Sequence, residues 1–152
     1  MTRHATFDSP LGRLVITETE RVITRLRWGD GPAGAPSSPL LEAACRQLAE
    51  YFARERRSFD LPLAFGTGFH AEVRRAMAAI PYGETRTYGD LARRLDAPAQ
   101  AIGQACGANR IPVLIPCHRV LAATGLGGFS APGGIETKIA LLKLEGAASL
   151  LI

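Results

Sequence analysis

The sequence predicts two lobes, an α/β N-terminal lobe built from a small antiparallel sheet plus one helix, followed by a mostly α-helical C-terminal lobe. Three observations predict this. Short β-prone runs fill residues Ala5 to Trp28, amphipathic helical stripes lie on either side of a turn-rich stretch near residue 65, and helical patterns dominate the remainder of the chain. With 152 residues the chain is long enough for one compact domain or two small ones, and 47% hydrophobic against 21% charged residues exclude whole-chain disorder and a collagen-like fibre. The expected boundary lies between Phe65 and Phe69, giving lobes 1–65 and 66–152.

In the first lobe, Leu14-Val15-Ile16-Thr17 and Val22-Ile23-Thr24 are separated by Glu18-Thr19-Glu20-Arg21 and preceded by the turn Pro10-Leu11-Gly12, the pattern of an antiparallel meander. The stretch from Gly29 to Pro39 is dense in turn formers and predicts a loop. Leu41, Cys45, Leu48 and Phe52 then recur on one helical stripe, which makes Cys45 an expected core residue. Phe69, Val73, Met77 and Ile80 mark a second amphipathic helix, ended by Pro81-Tyr82-Gly83. Thr87 with Asp90 three residues on predicts a capped helix from Tyr88 to Leu95, and Asp96 is expected to cap a further helix over 97–108 with Pro98 in its first turn. Pattern alone leaves this pair open between a helix-turn-helix and an αα-corner. Residues 125–134 hold five glycines and predict a loop, and Ile135 to Glu145 predicts a last helix ending at Gly146.

The net charge of +4 is uneven, +1 before residue 66 and +3 after it, which is compatible with a polyanionic partner and common elsewhere. Cys45, Cys106 and Cys117 are too widely spaced for a C-x-x-C motif, and no Cys/His cluster has metal-ligand spacing, so neither a disulfide scaffold nor a metal site is expected. No apolar run reaches the roughly 18 residues of a membrane span and Met1 to Pro10 lacks an apolar leader core, so the expected location is the cytoplasm.

The stretch 111–120, Ile-Pro-Val-Leu-Ile-Pro-Cys-His-Arg-Val, carries the chemistry. An apolar run predicts burial, yet it delivers Cys117, His118 and Arg119 directly after Pro116, which fixes the angle at which the chain presents the cysteine. Cysteine reacts as its thiolate and needs a base or a positive neighbour at neutral pH. His118 is the nearest base. Adjacent residues diverge in direction, so a bridging water is the expected link, and the imidazole needs orienting by Glu136 or Glu145. A small buried thiol beside a satisfied core histidine explains an arbitrary Cys-His pair equally well.

With these residues in place, the sequence resembles the O6-alkylguanine-DNA alkyltransferases. The resemblance rests on Ile115-Pro116-Cys117-His118-Arg119-Val120, flanked in family order by Ile80-Pro81-Tyr82-Gly83-Glu84-Thr85, Thr87-Tyr88-Gly89-Asp90-Leu91-Ala92, Ala108-Asn109 and Leu141-Leu142-Lys143-Leu144-Glu145-Gly146. It implies a ribonuclease H-like first lobe and a helix-turn-helix in the second. It implies that Cys117 takes the alkyl group irreversibly from O6 of guanine, with lesser action on O4-alkylthymine, that His118 deprotonates it through water, that Glu145 orients His118, and that Asn109 and Tyr88 assist. DNA or base contacts are implied for Ala99, Gln100, Ala101, Gly103 and Ala105 on the second helix, and for Pro112, Arg119, Phe129 and Ser130. The implied partner is alkylated double-stranded DNA, bound through the minor groove by a monomer with no cofactor and no obligate protein partner. A base inside a duplex must be flipped out to reach such a thiol.

The sequence departs from the family in three places. Gln100 stands where relatives commonly carry an arginine, and no arginine lies between Leu95 and Asn109, so weaker DNA binding or slower flipping is expected. The turn before this helix is about two residues shorter, and Phe129 replaces a loop tyrosine. The alternatives are a lesion-binding protein or regulator that transfers poorly and, more remotely, an unrelated cysteine hydrolase.

Overall fold

The computed structural model describes residues 1–127, 129 and 133–147, and the chain forms two compact units, Met1–Ala64 and Phe65–Ile152. In the first, β1 (Thr2–Ser9), β2 (Gly12–Thr19) and β3 (Val22–Trp28) form an antiparallel meander in that order. Glu20 and Arg21 both take positive φ, 50° and 66°, the geometry of a type I′ turn, whose twist matches that of the strands it joins. Leu14, Val15 and Ile16 are buried in succession because β2 is central and covered on both faces. Part of the outer edge of β3 is paired: Ile23 donates to Pro62 O at 2.8 Å and accepts from Ala64 N at 2.9 Å.

Helix α1 (Pro39–Phe52) begins where Ser38 accepts a hydrogen bond from Leu41 N and Pro39 takes the first helical position. The Ser38 hydroxyl also donates to the buried Glu18 carboxylate of β2, tying the helix start to the sheet. The buried stripe is Leu41, Ala44, Leu48 and Tyr51, whereas Cys45 is only half-buried. The expected core position of Cys45 is therefore corrected. It shares a helical period with Leu41, but the face that meets the sheet is rotated toward Ala44 and Tyr51.

The second unit holds α2 (Gly68–Ala78), β4 (Arg86–Thr87), α3 (Tyr88–Leu95), α4 (Ala99–Gly107), β5 (Val120–Leu121) and α5 (Ile135–Leu144). Thr87 and Asp90 form the expected capping box at the start of α3, each side chain satisfying the other's backbone N–H. Asp96 does not cap α4. It closes α3 at φ 52°, a left-handed conformation that aspartate tolerates, and the α4 N-cap is Pro98. Strands β4 and β5 are short and parallel, pairing Arg86 with Val120 and Thr87 with Leu121. That ladder brings the start of α3 beside the Cys117 segment. No helix among the described residues is long and apolar enough to cross a membrane.

Candidate active site

The site is built from the second unit alone. After α4 the chain crosses from Arg110 to Pro116, and the Asn109 amide spans that crossing: Oδ1 accepts from Ile111 N and Nδ2 donates to Ile115 O, both at 3.0 Å. Ile111, Val113, Leu114 and Ile115 are buried, as the apolar run predicts. Val113 sits at φ 72°, a costly conformation for a β-branched residue that persists only where the surroundings over-determine it. The segment ends in a 3-10 turn, Cys117–Arg119, after Pro116.

Cys117 is partly exposed and lines a pocket of about 270 Å³ together with Asn109, Pro112, Tyr88 and Phe129, while Gly103, Cys106 and Gly107 of α4 complete the lining. Burial pushes the Cys117 thiol up, and the Asn109 amide and the Lys138 charge work against that rise. Cys106, in the same pocket, is pushed up to about 12, first by burial and then by Cys117, so it stays a thiol. The Tyr88 phenol is raised by burial and by the two cysteines, which keeps it a hydrogen-bond donor at neutral pH. Gly127 approaches that phenol so closely that a Cβ there would lie 3.0 Å from Tyr88 Oη.

Behind the cysteine lies a buried, hydrogen-bonded group of three. His118 Nε2 meets Glu145 Oε2 at 2.7 Å; Arg119 donates to both oxygens of the same carboxylate, Nε to Oε1 at 2.8 Å and Nη2 to Oε2 at 3.0 Å, and Nη1 donates to Ile80 O at 2.6 Å. Burial would raise the Glu145 pKa, but the hydrogen bonds from His118 and Arg119 outweigh it and hold the group at about 2. A carboxylate that only accepts assigns the proton to His118 Nε2. Burial lowers the His118 pKa, so the ring is neutral and Nδ1 carries a lone pair. Nδ1 is buried and has no hydrogen-bond partner among the described residues, and no direct hydrogen bond joins it to the thiol. Of the two carboxylates the sequence left open, Glu145 is the partner, and Glu136 is exposed. Gly83 at φ 80° lets the Pro81–Gly83 turn pass this end of α5, where a Cβ would lie 3.1 Å from Glu145 O.

Two expected contact residues are corrected. Arg119 is buried with its guanidinium committed to Glu145 and Ile80 O, so it is not a base or DNA contact. Ala105 is fully buried with Ile102 and Cys106, on the inner face of α4. Ala99 and Gln100 are exposed, and Ala101 and Gly103 partly so. Ser130 lies outside the described residues. Sequence reading missed Lys138, which is fully buried, donates to Val120 O at 2.7 Å, and holds Nζ 6.0 Å from the centre of the Tyr88 ring. Its only local signal is a lysine on the stripe that includes Leu141 and Leu142, where an apolar residue is the usual choice.

A three-stranded sheet with one helix, then a helical unit that displays one partly exposed cysteine in a pocket beside a buried His–Glu pair, defines a protein whose chemistry centres on a single thiol. Residues 68–147 match the model of the 6-O-methylguanine DNA methyltransferase DNA binding domain, and residues 2–65 match that of the ribonuclease-like domain of the same proteins. The chain belongs to the 6-O-methylguanine DNA methyltransferase family. It is 42% identical to the methylated-DNA--protein-cysteine methyltransferase of Mycolicibacterium paratuberculosis, over 95% of this chain and 93% of that one. It is 40% identical to the constitutive enzyme of Bacillus subtilis, over 95% and 96%. The crystal structure of the Mycobacterium tuberculosis O6-methylguanine methyltransferase superposes with a TM-score of 0.84 at 41% identity, covering 97% of this chain and 94% of that one. The same protein in complex with DNA superposes at 0.83 and 42% identity, covering 95% and 92%.

Proposed function

We propose that this protein is a single-use DNA-repair methyltransferase, which takes the alkyl group of O6-alkylguanine, and less efficiently of O4-alkylthymine, from double-stranded DNA onto Cys117. The observation that carries this reading is the partly exposed Cys117 thiol in an open pocket, set next in the chain to a buried neutral imidazole whose far nitrogen is held by Glu145. The helix-turn-helix of α3 and α4 approaches the minor groove, where the small side chains of α4 suit a narrow cleft, and the target nucleotide flips out into the pocket. The protein acts as a monomer in the cytoplasm.

In the transfer step the thiol proton passes by way of a water to His118 Nδ1, and the imidazolium that forms is stabilised by Glu145. The Cys117 sulfur attacks the alkyl carbon, an S–C bond forms, and the C–O6 bond breaks with its electron pair left on the guanine. The guanine anion takes a proton from the Tyr88 phenol, and the proton held on His118 returns by way of solvent to the phenolate, so that both groups end neutral. The resulting thioether is a poor leaving group, so each molecule reacts once. Lys138 favours the thiolate by its charge, and Asn109 supports it by holding the crossing from Arg110 to Pro116 in place.

Incubation with a duplex carrying one O6-methylguanine is expected to add the mass of one methyl group to the intact protein, and Cys117→Ala to abolish the gain. DNA retention without a mass change would favour lesion binding alone. Gln100→Arg restores a charge to the exposed start of α4 and is expected to tighten duplex binding or speed transfer. A titration showing neither would remove Gln100 from the DNA-binding face.

A further inference from the structure

No charged residue lies between Asp96 and Arg110, so the whole of α4, the helix assigned to the DNA, is neutral. Six of the nine cations of the second unit are already engaged: Arg74 with Phe65 O and Ala108 O, Arg75 over the Phe65 ring, Arg86 with Glu84, Arg93 with Asp90, Arg119 with Glu145 and Lys138 with Val120 O; of the other three, Arg94, Arg110 and Lys143, only Arg110 lies on the segment that lines the pocket. Arg110 is exposed and has no hydrogen-bond or ion-pair partner among the described residues. It follows Asn109 directly and precedes Pro112 by two residues, and both of these line the pocket with Cys117. Its backbone is held from both sides. Arg74 Nη2 donates to Ala108 O at 3.2 Å, and the Asn109 side chain bonds Ile111 N and Ile115 O. An exposed arginine without a partner among the described residues therefore stands on a pinned stretch of backbone between two residues that line the pocket.

We infer that Arg110 is a positioning residue that binds a backbone phosphate of the DNA next to the flipped nucleotide, supplying from beyond the C-terminal end of α4 the charge that Gln100 does not supply at its start. The inference rests on the function proposed above. A nucleotide can enter this pocket only with its own phosphates at the edge, and a guanidinium fork suits two phosphate oxygens. A cation just past a helix C-terminus also complements the helix dipole, so the test must separate a DNA contact from a stability effect.

Single-turnover transfer from a duplex carrying one O6-methylguanine, measured against protein concentration at several salt concentrations, makes that separation. Wild type is expected to bind with a steep salt dependence. Arg110→Ala is expected to lower the slope of log affinity against log salt by about 0.9, the value for one phosphate contact, so that a roughly fourfold rise in salt weakens the variant about 3.5-fold less than wild type. Arg110→Lys should regain most of the slope. Arg25→Ala, an exposed charge on β3, controls for net charge and should leave the slope near the wild-type value. An unchanged slope in Arg110→Ala, whether or not its thermal unfolding midpoint falls, overturns the inference, as does an equal drop in Arg25→Ala. Absence of any methyl transfer by wild type would instead overturn the proposed function, and this inference with it.

Discussion

Glu145→Gln is expected to destabilise the protein by about 3–5 kcal/mol, because it leaves the buried Arg119 guanidinium without its counter-charge. The acid limb of the stability curve gives an independent check. The folded pKa of Glu145 is about 2 against an ordinary 4.5, which corresponds to about 3 kcal/mol. That contribution is complete above pH 4.5, shrinks as pH falls, and is gone once the folded group protonates near pH 2. His118, whose pKa is also lowered from 6.5, adds a separate loss that starts nearer neutrality. The glutamine variant should keep the His118 part and lack the lower one. Urea unfolding at stepped pH measures both, and a variant whose curve runs parallel to wild type down to pH 3 would refute the assignment. Transfer should slow as well, since the imidazole loses the partner that orients it and stabilises its protonated form.

Lys138→Met is expected to act in the opposite sense on stability. Burial lowers the Lys138 pKa, so the folded protein carries a penalised charge, and an apolar side chain of similar length relieves that penalty. The charge also opposes the burial that raises the Cys117 thiol. Its loss should slow transfer at neutral pH by about tenfold or more and move the rate profile to higher pH, as expected for a smaller thiolate fraction. Unfolding and single-turnover transfer measured on one preparation would test the pairing. A fully active variant would reduce Lys138 to a packing residue that reaches Val120 O.

In both units the elements set by neighbouring residues are legible in the sequence. The meander, the loop from Gly29, the Thr87–Asp90 capping box and the glycine at the end of α5 all depend on residues within a turn or two of one another. Asp96 misled because aspartate serves equally as an N-cap and in the left-handed conformation, and only the position of α3 relative to α4 selects one. The faces of α4 were illegible for a related reason: residues 99–108 are nearly all small, so alternation of size and polarity does not mark Ala105 as inward and Gln104 as outward.

By itself the sequence determined the order of the main elements, the two-lobe division, and the short segment that carries Cys117 and His118. Those are encoded in backbone preferences and in side-chain types at close spacing. Only the tertiary structure decided which carboxylate, 27 residues from His118, sits against it, that Arg119 turns inward to the same carboxylate, and that Lys138 lies buried against Val120 O. Such pairings form between chain-distant polar groups that are tolerated inside because each meets a hydrogen-bond partner, and no periodicity in the sequence announces a partner that far away.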